Sequence, residues 1–300
     1  MSREQRFIQR PFPSLILMVM IALLIPAAVS AGDKPGPVKI APKEWGSYRS
    51  YLPDSTEIRW KASWVLERVA EGPPAKYVVH DELRGRFGEN NREQTRVTEA
   101  EFIVDRGRLM MQHSSLTARD RAGKVFLTLE KDFDYDKGEV RTRSYSPEER
   151  ESERDAFDMG DRLVDGKAIV SFLRGFPFPP PGAAEDADPE LEFIFLDESP
   201  DTYSVLVTYE GIEDVETPAG RFSCHKLRLI PDLGILTFLG KMLAPDIYMW
   251  FAVESPHFWV KFMGLEGGLG TPSVISELVE FNIGKGEGTL KHKDVEKKGR

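Results

Sequence analysis

Five histidines and one cysteine are the side chains best suited to metal binding or nucleophilic chemistry in this chain. The histidines are His80, His113, His225, His257 and His292. No two of them stand at the close spacing of a zinc-binding helix or knuckle, and a single cysteine offers no thiol pair to assist them. The sequence therefore predicts no metal site and no cofactor.

Cys224 and His225 are adjacent, which invites a comparison with a nucleophile and its base. They lie in a run predicted to be a strand, where successive side chains point to opposite faces. The thiol and the imidazole should therefore diverge and not form a hydrogen-bonded catalytic pair. We predict a buried small thiol and an imidazole at an edge or on the surface.

Asp132, Asp134 and Asp136 resemble the start of a calcium-binding loop. The glycine falls one place late, at Gly138, and Arg143 stands where a bidentate glutamate would be needed. We therefore interpret the aspartates as residues of a strand and the hairpin turn after it. A pair of carboxylates that hydrolyses glycosides stays open as an alternative, but nothing in the sequence singles out two such residues. No nucleophile elbow and no phosphate loop is present, so no catalytic residue is predicted.

Large apolar side chains are the more informative group, because a single curved sheet needs either a covering element or a ligand on its concave face. The candidate ligand-binding residues are Trp60, Trp64, Phe238, Leu239, Met242, Trp250 and Trp259. The segment Ile235–Leu243 has apolar residues at helical spacing and is predicted as a short helix, either a lid or a fixed cover. The alternative is that all these residues simply build the core.

The strands that would carry these residues begin with the clearest pattern in the chain, Ile58–Leu66. Ile58, Trp60, Ala62, Trp64 and Leu66 share one phase, and Glu57, Arg59, Lys61 and Glu67 share the other. Turn residues about every dozen positions then separate further strands, which is typical of an antiparallel meander. They are Lys76–Phe87, Thr95–Val104, Arg108–Leu116, Val125–Phe133 and Val140–Tyr145.

The second half begins with a break in the β pattern at Ser146–Glu153 and a predicted helix at Asp161–Arg174. A proline-rich connection, Phe176–Pro189, leads to the remaining strands. They are Leu191–Leu196, Tyr203–Tyr209, Arg221–Leu229, Ile247–Val253, Phe258–Met263 and Val274–Ile283.

The strand Arg221–Leu229 has a conflict of phase. Phe222 and Cys224 share one side, whereas Leu227 and Leu229 share the other. A regular strand cannot place all four on one core face. We predict a β-bulge near His225–Lys226, and the competing account is a strand buried on both sides.

Together these patterns predict a mainly β fold. It is a single large curved antiparallel sheet, a half-barrel of about ten or eleven strands with one or two covering helices. The domain is expected over residues 54–283. Residues 32–53 are expected to be a polar leader and residues 284–300 a disordered polar tail.

The N-terminus has the three parts of a secretory signal peptide. Three arginines precede an apolar run at Ser14–Ile25, and the run is followed by Pro26 and the small-residue pattern Val29-Ser30-Ala31. Residues 1–31 are therefore predicted to be removed, with cleavage near Ala31–Gly32. The run is short for a full membrane span, so no transmembrane segment is expected after processing.

The run from Gly211 to Leu227, and above all its G-x-E-x-V-x-T-P-A-G-x-F part, resembles the signature of a family of exported Gram-negative proteins, the domain of unknown function DUF3108. The resemblance extends from about Glu57 to about Phe281 and is weaker in the N-terminal half. It implies a curved sheet similar to the LolA and LolB lipoprotein carriers. It implies no catalytic residues. The proline-rich Pro177–Pro189 and the long apolar Ile230–Asp246 depart from the expected pattern.

The formal net charge of −9 and the absence of a basic stripe in the sequence argue against nucleic-acid binding. We therefore expect a non-enzymatic periplasmic protein that binds or carries a hydrophobic ligand, such as a lipid or a lipoprotein acyl chain. A structural or protein-interaction module of the cell envelope with a filled core is one alternative. A carboxylate-based hydrolase is the other.

Overall fold

The computed structural model describes residues 34–146, 150–158, 162–180, 188–198, 202–232, 246–267, 271–284 and 290–291. These residues form sixteen strands and one short helix. In chain order the elements are β1 (Lys43–Tyr51), β2 (Ile58–Ala70), β3 (Ala75–Phe87), β4 (Arg92–Asp105), β5 (Arg108–Asp120), β6 (Val125–Asp134), β7 (Glu139–Ser146), β8 (Arg150–Asp158), β9 (Leu163–Asp165), α1 (Ile169–Leu173), β10 (Glu190–Leu196), β11 (Thr202–Thr217), β12 (Gly220–Pro231), β13 (Ile247–Ala252), β14 (Trp259–Leu265), β15 (Ser273–Ile283) and β16 (Leu290–Lys291).

All described strands belong to one sheet. Its order is β8-β7-β6-β5-β4-β3-β2-β1-β15-β14-β13-β12-β11-β10-β9, and β16 pairs with β15. Neighbours are antiparallel except β9 and β10, which are parallel. The prediction of a mainly β chain with one large, open, curved sheet is confirmed, although the sheet has more strands than the ten or eleven expected.

β1 corrects the prediction of a polar leader over residues 32–53. It lies in the middle of the strand order, between β2 and β15. Glu44, Tyr48 and Ser50 alternate with less buried residues, as in any strand with one buried face. The inward polar groups have partners, since the Ser276 hydroxyl donates to Ser50 Oγ at 3.3 Å. A polar composition therefore did not indicate a loop here.

β2 follows its predicted face assignment for most of its length. Trp60 and Leu66 are buried, whereas Lys61 is exposed. Two assignments are wrong: Ile58 is exposed and Arg59 is buried. The reason is a register shift, in which Tyr51 pairs with Ile58 while Ser50 pairs with Trp60. Arg59 is the extra residue, and it turns to meet Glu266.

The helix predicted over Asp161–Arg174 is wrong in its first half. Leu163–Asp165 is a strand that pairs with β10, and only Ile169–Leu173 is helical. Asp165 ends the strand, since its Oδ1 accepts the Lys167 amide at 2.9 Å. A side chain that bonds a nearby backbone amide favours a turn over a continued helix.

Ser146–Glu153 was expected to break the β pattern, but β8 begins at Arg150 and pairs with β7. β8 stands at one end of the strand order, where only one neighbour has to be satisfied. Charged residues are common on such edge strands because they discourage pairing with other chains. The dense charge of this stretch therefore did not exclude a strand.

The predicted bulge near His225–Lys226 lies in the neighbouring strand. Tyr209 pairs with Leu227 and Gly211 with Lys226, so Glu210 of β11 is the extra residue. β12 itself continues in regular register with β13. Phe222 and Cys224 belong to one hydrophobic cluster, and Leu227 and Leu229 to another. The competing account, a strand buried on both sides, describes β12 correctly.

We call the face of the sheet that packs against α1 and its flanking residues the inner face. One cluster joins Ala168 and Leu196 to the inner residues of β2–β7, including Phe102 and Val140. Another joins Leu173 and Phe176 to β10–β13, including Phe251. The inner face is therefore covered by residues of the chain itself.

Candidate functional site

Trp60, a predicted ligand-binding residue, is fixed inside the sheet. Its ring stacks on Phe87 with centroids 6.0 Å apart, and its Nε1 donates to Glu266 Oε1 at 3.0 Å. Glu266 also binds Arg59 and accepts the Gly88 amide at 2.6 Å. This carboxylate joins the β14–β15 turn to β2 and to the β3–β4 turn, so Trp60 has a structural role.

Trp250 lies opposite Lys226 and Lys261 on neighbouring strands, and both ammonium groups are 5.4 Å from its ring centroid. Its Nε1 donates to Glu213, which also pairs with Lys226. Lys226, Lys261 and Glu213 thus cover the indole through two cation–π contacts and one hydrogen bond. Trp250 is therefore buried although it is surrounded by charged side chains.

Trp259 and Trp64 are only partly buried. Trp259 lies against Tyr48, with ring centroids 4.2 Å apart, and Tyr48 donates to the Trp259 carbonyl at 2.8 Å. Trp64 packs between the cluster on β1 and β11–β15 and the cluster on β2–β7. Trp64, Trp250 and Trp259 thus share the cluster that includes Tyr48 and Phe222, whereas Trp60 stacks on Phe87. The other three candidates, Phe238, Leu239 and Met242, lie outside the described residues.

Two buried ion pairs fasten the segment from β9 to Arg174, which we call the cover, to the inner face. Arg174, directly after α1, pairs with Glu44 of β1, with both side chains almost inaccessible to solvent. Lys131 of β6 donates to Asp165 Oδ2 at 2.9 Å and also to the Asp197 carbonyl. Asp165 has both oxygens satisfied, since Oδ1 accepts the Lys167 amide. Charges buried in this way are stable only while each keeps its partner.

A second group of charges surrounds Lys167. Its Nζ donates to Glu198 Oε1 at 2.7 Å, and this proximity lowers the pKa of Glu198 to about 2. Burial would lower the pKa of Lys167, but Glu198, Asp165 and Asp81 raise it above its ordinary value. For Asp81 burial dominates and raises the pKa to about 6, against the opposing influence of Lys167 and His80.

Sequence reasoning missed these charged residues, although a signal existed. Asp81 stands in the same strand phase as Tyr77, Val79 and Leu83, and Lys131 stands between Leu129 and Phe133. A single charged residue in an otherwise apolar phase indicates a buried ionisable group with a specific partner. Only the fold identifies the partners, because Asp165 is remote in sequence from Lys131.

His225 and His257 form a third group. Their ring centroids are 5.6 Å apart, and Phe178 stacks on His225 at 4.3 Å. Burial and then the neighbouring His257 lower the pKa of His225 to about 4. Burial also lowers the pKa of His257. His225 is buried, contrary to the prediction of an edge or surface imidazole, because the segment after α1 covers it.

Cys224 is a buried free thiol, as predicted. Burial raises its pKa, and Glu213 and Asp214 raise it further, so a nucleophilic thiolate is disfavoured. The thiol belongs to the cluster of Phe222, whereas His225 contacts Phe178. The two side chains therefore diverge and do not form a nucleophile–base pair.

The aspartates of β6 also behave as expected. Asp132 pairs with Arg143 at 3.0 Å and with His113 at 2.8 Å. Asp134 pairs with Lys137 in the hairpin turn at 3.0 Å. Among the described residues no group of three or more histidine, cysteine or carboxylate side chains could hold a metal ion. No helix within the same residues is long and apolar enough to cross a membrane.

An open groove of about 470 Å³ lies on the surface of β10 and β11. It is lined by Arg162, Glu192, Phe193, Ile194 and Ser204. β9 pairs only with Ile194–Leu196, so within the described chain the first half of β10 has a strand neighbour on the β11 side alone. Open strand edges of this kind accept an extended peptide in many complexes.

No family model matches this chain, and no curated protein sequence matches it. The expected resemblance to DUF3108 therefore stays a prediction. Five chains of solved structure match.

Three of these structures illustrate the likeness. A β-barrel-like protein of the domain of unknown function DUF1849 from Brucella abortus is 10% identical, with a TM-score of 0.49, over 82% of this chain and 99% of that chain. A candidate exported protein with a YmcC-like fold from Bacteroides fragilis is 12% identical, with a TM-score of 0.35, over 82% and 98%. A candidate lipoprotein from Parabacteroides distasonis is 10% identical, with a TM-score of 0.29, over 82% and 97%.

Proposed function

We propose that this chain is a non-enzymatic protein of the cell envelope that acts through its surface as a protein-interaction module. The observation that carries the proposal is the covered inner face. The Glu44–Arg174 and Lys131–Asp165 pairs fasten the segment from β9 to Arg174 across it. A moving lid would have to separate buried charges, and an unpaired buried charge costs about 3–5 kcal/mol.

The charged groups support a structural role better than a catalytic one. Glu44, Asp165 and Glu198 each pair with a cation. Asp81 differs from them, because burial raises its pKa above the ordinary value of an aspartate. An acid–base site would need two groups aimed at a common space where a substrate can sit. Location in the envelope rests on the signal-peptide pattern at residues 1–31.

The groove on β10 and β11 is the surface where we place the partner, an extended segment of another protein. Ile194 is exposed there beside Arg162, which offers a cation to a carboxylate of the partner. A photo-crosslinking residue at Ile194 should yield one discrete, protease-sensitive product in cells. The same residue at Ile212, an exposed position on β11, is the matched control. Equal products at both positions would argue against the groove.

Carriage of an apolar ligand is the second candidate function. It is favoured by Trp64 and Trp259, which are partly buried between hydrophobic clusters and could contact an acyl chain. Such a ligand would occupy the concave face, with Phe238, Leu239 and Met242 supplying a lid as the sequence suggests. This candidate requires the cover to move.

One experiment decides between the two candidates. The mature protein is purified from its native envelope without detergent, and extracted lipid is quantified by mass spectrometry. A closed interior predicts well below one lipid per chain and no uptake of a fluorescent fatty-acid probe. About one lipid per chain, or saturable uptake of the probe that is lost on changing Trp64 to Ala, would instead establish the carrier.

A further inference from the structure

The segment after α1 is held on the inner face by two imidazoles. Phe178 stacks on His225 with centroids 4.3 Å apart and lies 4.8 Å from His257. Phe176 lies 6.4 Å from the ring of Tyr209. The segment Phe176–Phe178 therefore rests on side chains from β11, β12 and the β13–β14 turn. The two histidines are the nearest ring partners of Phe178, and Phe176 joins the apolar cluster beside them.

Both imidazoles have uncharged hydrogen-bond partners. His225 Nδ1 lies 3.1 Å from the Tyr209 hydroxyl, and His257 Nδ1 donates to the Ala252 carbonyl at 3.0 Å. Neither imidazole pairs with a carboxylate in the described part of the chain. A proton added to either ring would therefore lack a compensating negative charge.

The charged groups that face His225 and His257 also disfavour protonation of the two rings. From the elements packed against it, His225 is faced by Tyr209 and His257, and His257 by His225, Lys39 and Arg174. Lys39 and Arg174 are cations, and Arg174 is already paired with Glu44. Protonation of both rings would thus place two imidazolium groups 5.6 Å apart beside further positive charge.

We propose that His225 and His257 form an acid-sensitive latch, and that their protonation releases the segment Phe176–Phe178 from the inner face of β12 and β13. Release would expose the apolar residues beneath it, including Leu227 and Phe251. The latch goes beyond the proposed interaction function, because it concerns Phe176–Phe178 and not the segment from β9 to Arg174 that the two buried ion pairs fasten.

The direction of the pH effect follows from linkage. Burial lowers the pKa of His225 to about 4, from about 6.5 in an unfolded chain. A histidine with a lowered folded pKa stabilises the closed form fully above pH 6.5. That contribution is lost progressively as the pH falls from about 6.5 toward about 4. The pKa of His257 is lowered as well and acts in the same direction.

Hydrogen exchange of the mature protein at pH 7.5 and pH 4.5 tests the latch. After correction for the intrinsic rate, the amides of Phe176 and Phe178 should open at least about tenfold more often at pH 4.5. Amides in the centre of β4 and β5 should stay protected and serve as the internal reference. Equal loss of protection in both regions would mean global unfolding and would overturn the proposal.

Variants show whether the two histidines cause the release. Exchanging both for glutamine, His225→Gln with His257→Gln, should remove the pH response of Phe176 and Phe178. His80→Gln, at an exposed position, should leave the response unchanged. If the double variant does not fold, the pKa of His225 is measured by NMR in the unaltered protein. An apparent pKa for His225 at or above 6.5 overturns the latch, and a value well below it that coincides with release supports it.

Discussion

Arg174 and Glu44 form an ion pair in the interior, with Arg174 Nη1 2.9 Å from Glu44 Oε1. The same oxygen accepts the Ala41 amide at 2.9 Å. Because Arg174 directly follows α1 and Glu44 lies on a central strand, the pair ties the cover to the middle of the sheet. It also explains why β1, which looks polar in sequence, is integral to the fold.

Replacing Arg174 with methionine should destabilise the domain by about 3–5 kcal/mol, because Glu44 would be left charged and unpaired in the interior. Arg221→Met is the control, since Arg221 pairs with Asp214 on the surface and such pairs contribute about 0–1 kcal/mol. Urea melts at pH 7 measure both. Changing Glu44 and Arg174 together to methionine should recover part of the loss. Equal effects of the two arginine variants would contradict a buried pair.

Trp60→Ala should cost about 3–5 kcal/mol, as large-to-small core substitutions do. It removes the stacking on Phe87 and one hydrogen bond to Glu266. Lys61→Ala, on the opposite and exposed face of the same strand, should change stability by less than about 0.5 kcal/mol. Denaturant melts with similar losses at both positions would show that the two faces of β2 have been assigned wrongly.

Much of the sheet could be predicted from sequence because its signal is local. Alternation in β2 and turn residues such as Gly138 mark strands and hairpins without any knowledge of partners. The failures lie where a distant contact decides the structure. Lys43–Tyr51 is a strand because β2 and β15 flank it, and Leu163–Asp165 is a strand because β10 accepts it.

The same limit applies to the site residues. Asp81 and Lys131 could be recognised as charges in an apolar phase, but Asp165 and Glu198 could not be assigned as neighbours without the fold. The burial of His225 depends on Phe178, which is remote in sequence and follows a helix whose length was overestimated. These cases are decided by which residues pair across the sheet. The alternation within a single strand does not encode that pairing.

The exported protein should begin at Gly32. Arg3, Arg6 and Arg10 precede the apolar run, and Val29-Ser30-Ala31 supplies the cleavage pattern. N-terminal sequencing of protein from the soluble envelope fraction measures this directly. Changing Ala31 to a bulky residue should leave the precursor uncleaved in the membrane fraction. Intact Met1 on the soluble protein would contradict the assignment.

Gly85 should tolerate no side chain. It pairs with Trp60, has φ +151°, and a Cβ there would lie 2.2 Å from the Arg59 carbonyl oxygen. Gly85→Ala should therefore cost at least about 2 kcal/mol. Gly88→Ala is the control: Gly88 has φ +68° but open space around it, so only about 1 kcal/mol of backbone strain is expected. Thermal melts that rank the two variants in the reverse order would contradict the close approach of β2 and β3.

Asp81→Asn should stabilise the domain at neutral pH. Burial raises the pKa of Asp81 to about 6, so the folded state favours the protonated carboxyl. An unfolded aspartate titrates near 3.9, and stability is therefore lost as the pH rises from about 4 to about 6 and stays reduced above that range. Asparagine cannot ionise and should remove this loss, which is at most about 3 kcal/mol for a shift of about two units.

The gain should depend on pH in a way that a simple packing effect would not. At pH 7.5 the asparagine variant should melt in urea at a higher concentration than the unaltered protein, and at pH 4.5 this difference should be much smaller. Glu82→Gln, at the next position on the opposite face of β3, is the control and should show no such difference. A variant that is destabilised at pH 7.5 would mean that attraction to Lys167 outweighs the burial of Asp81, and that the pKa of this carboxyl is not raised in the folded protein.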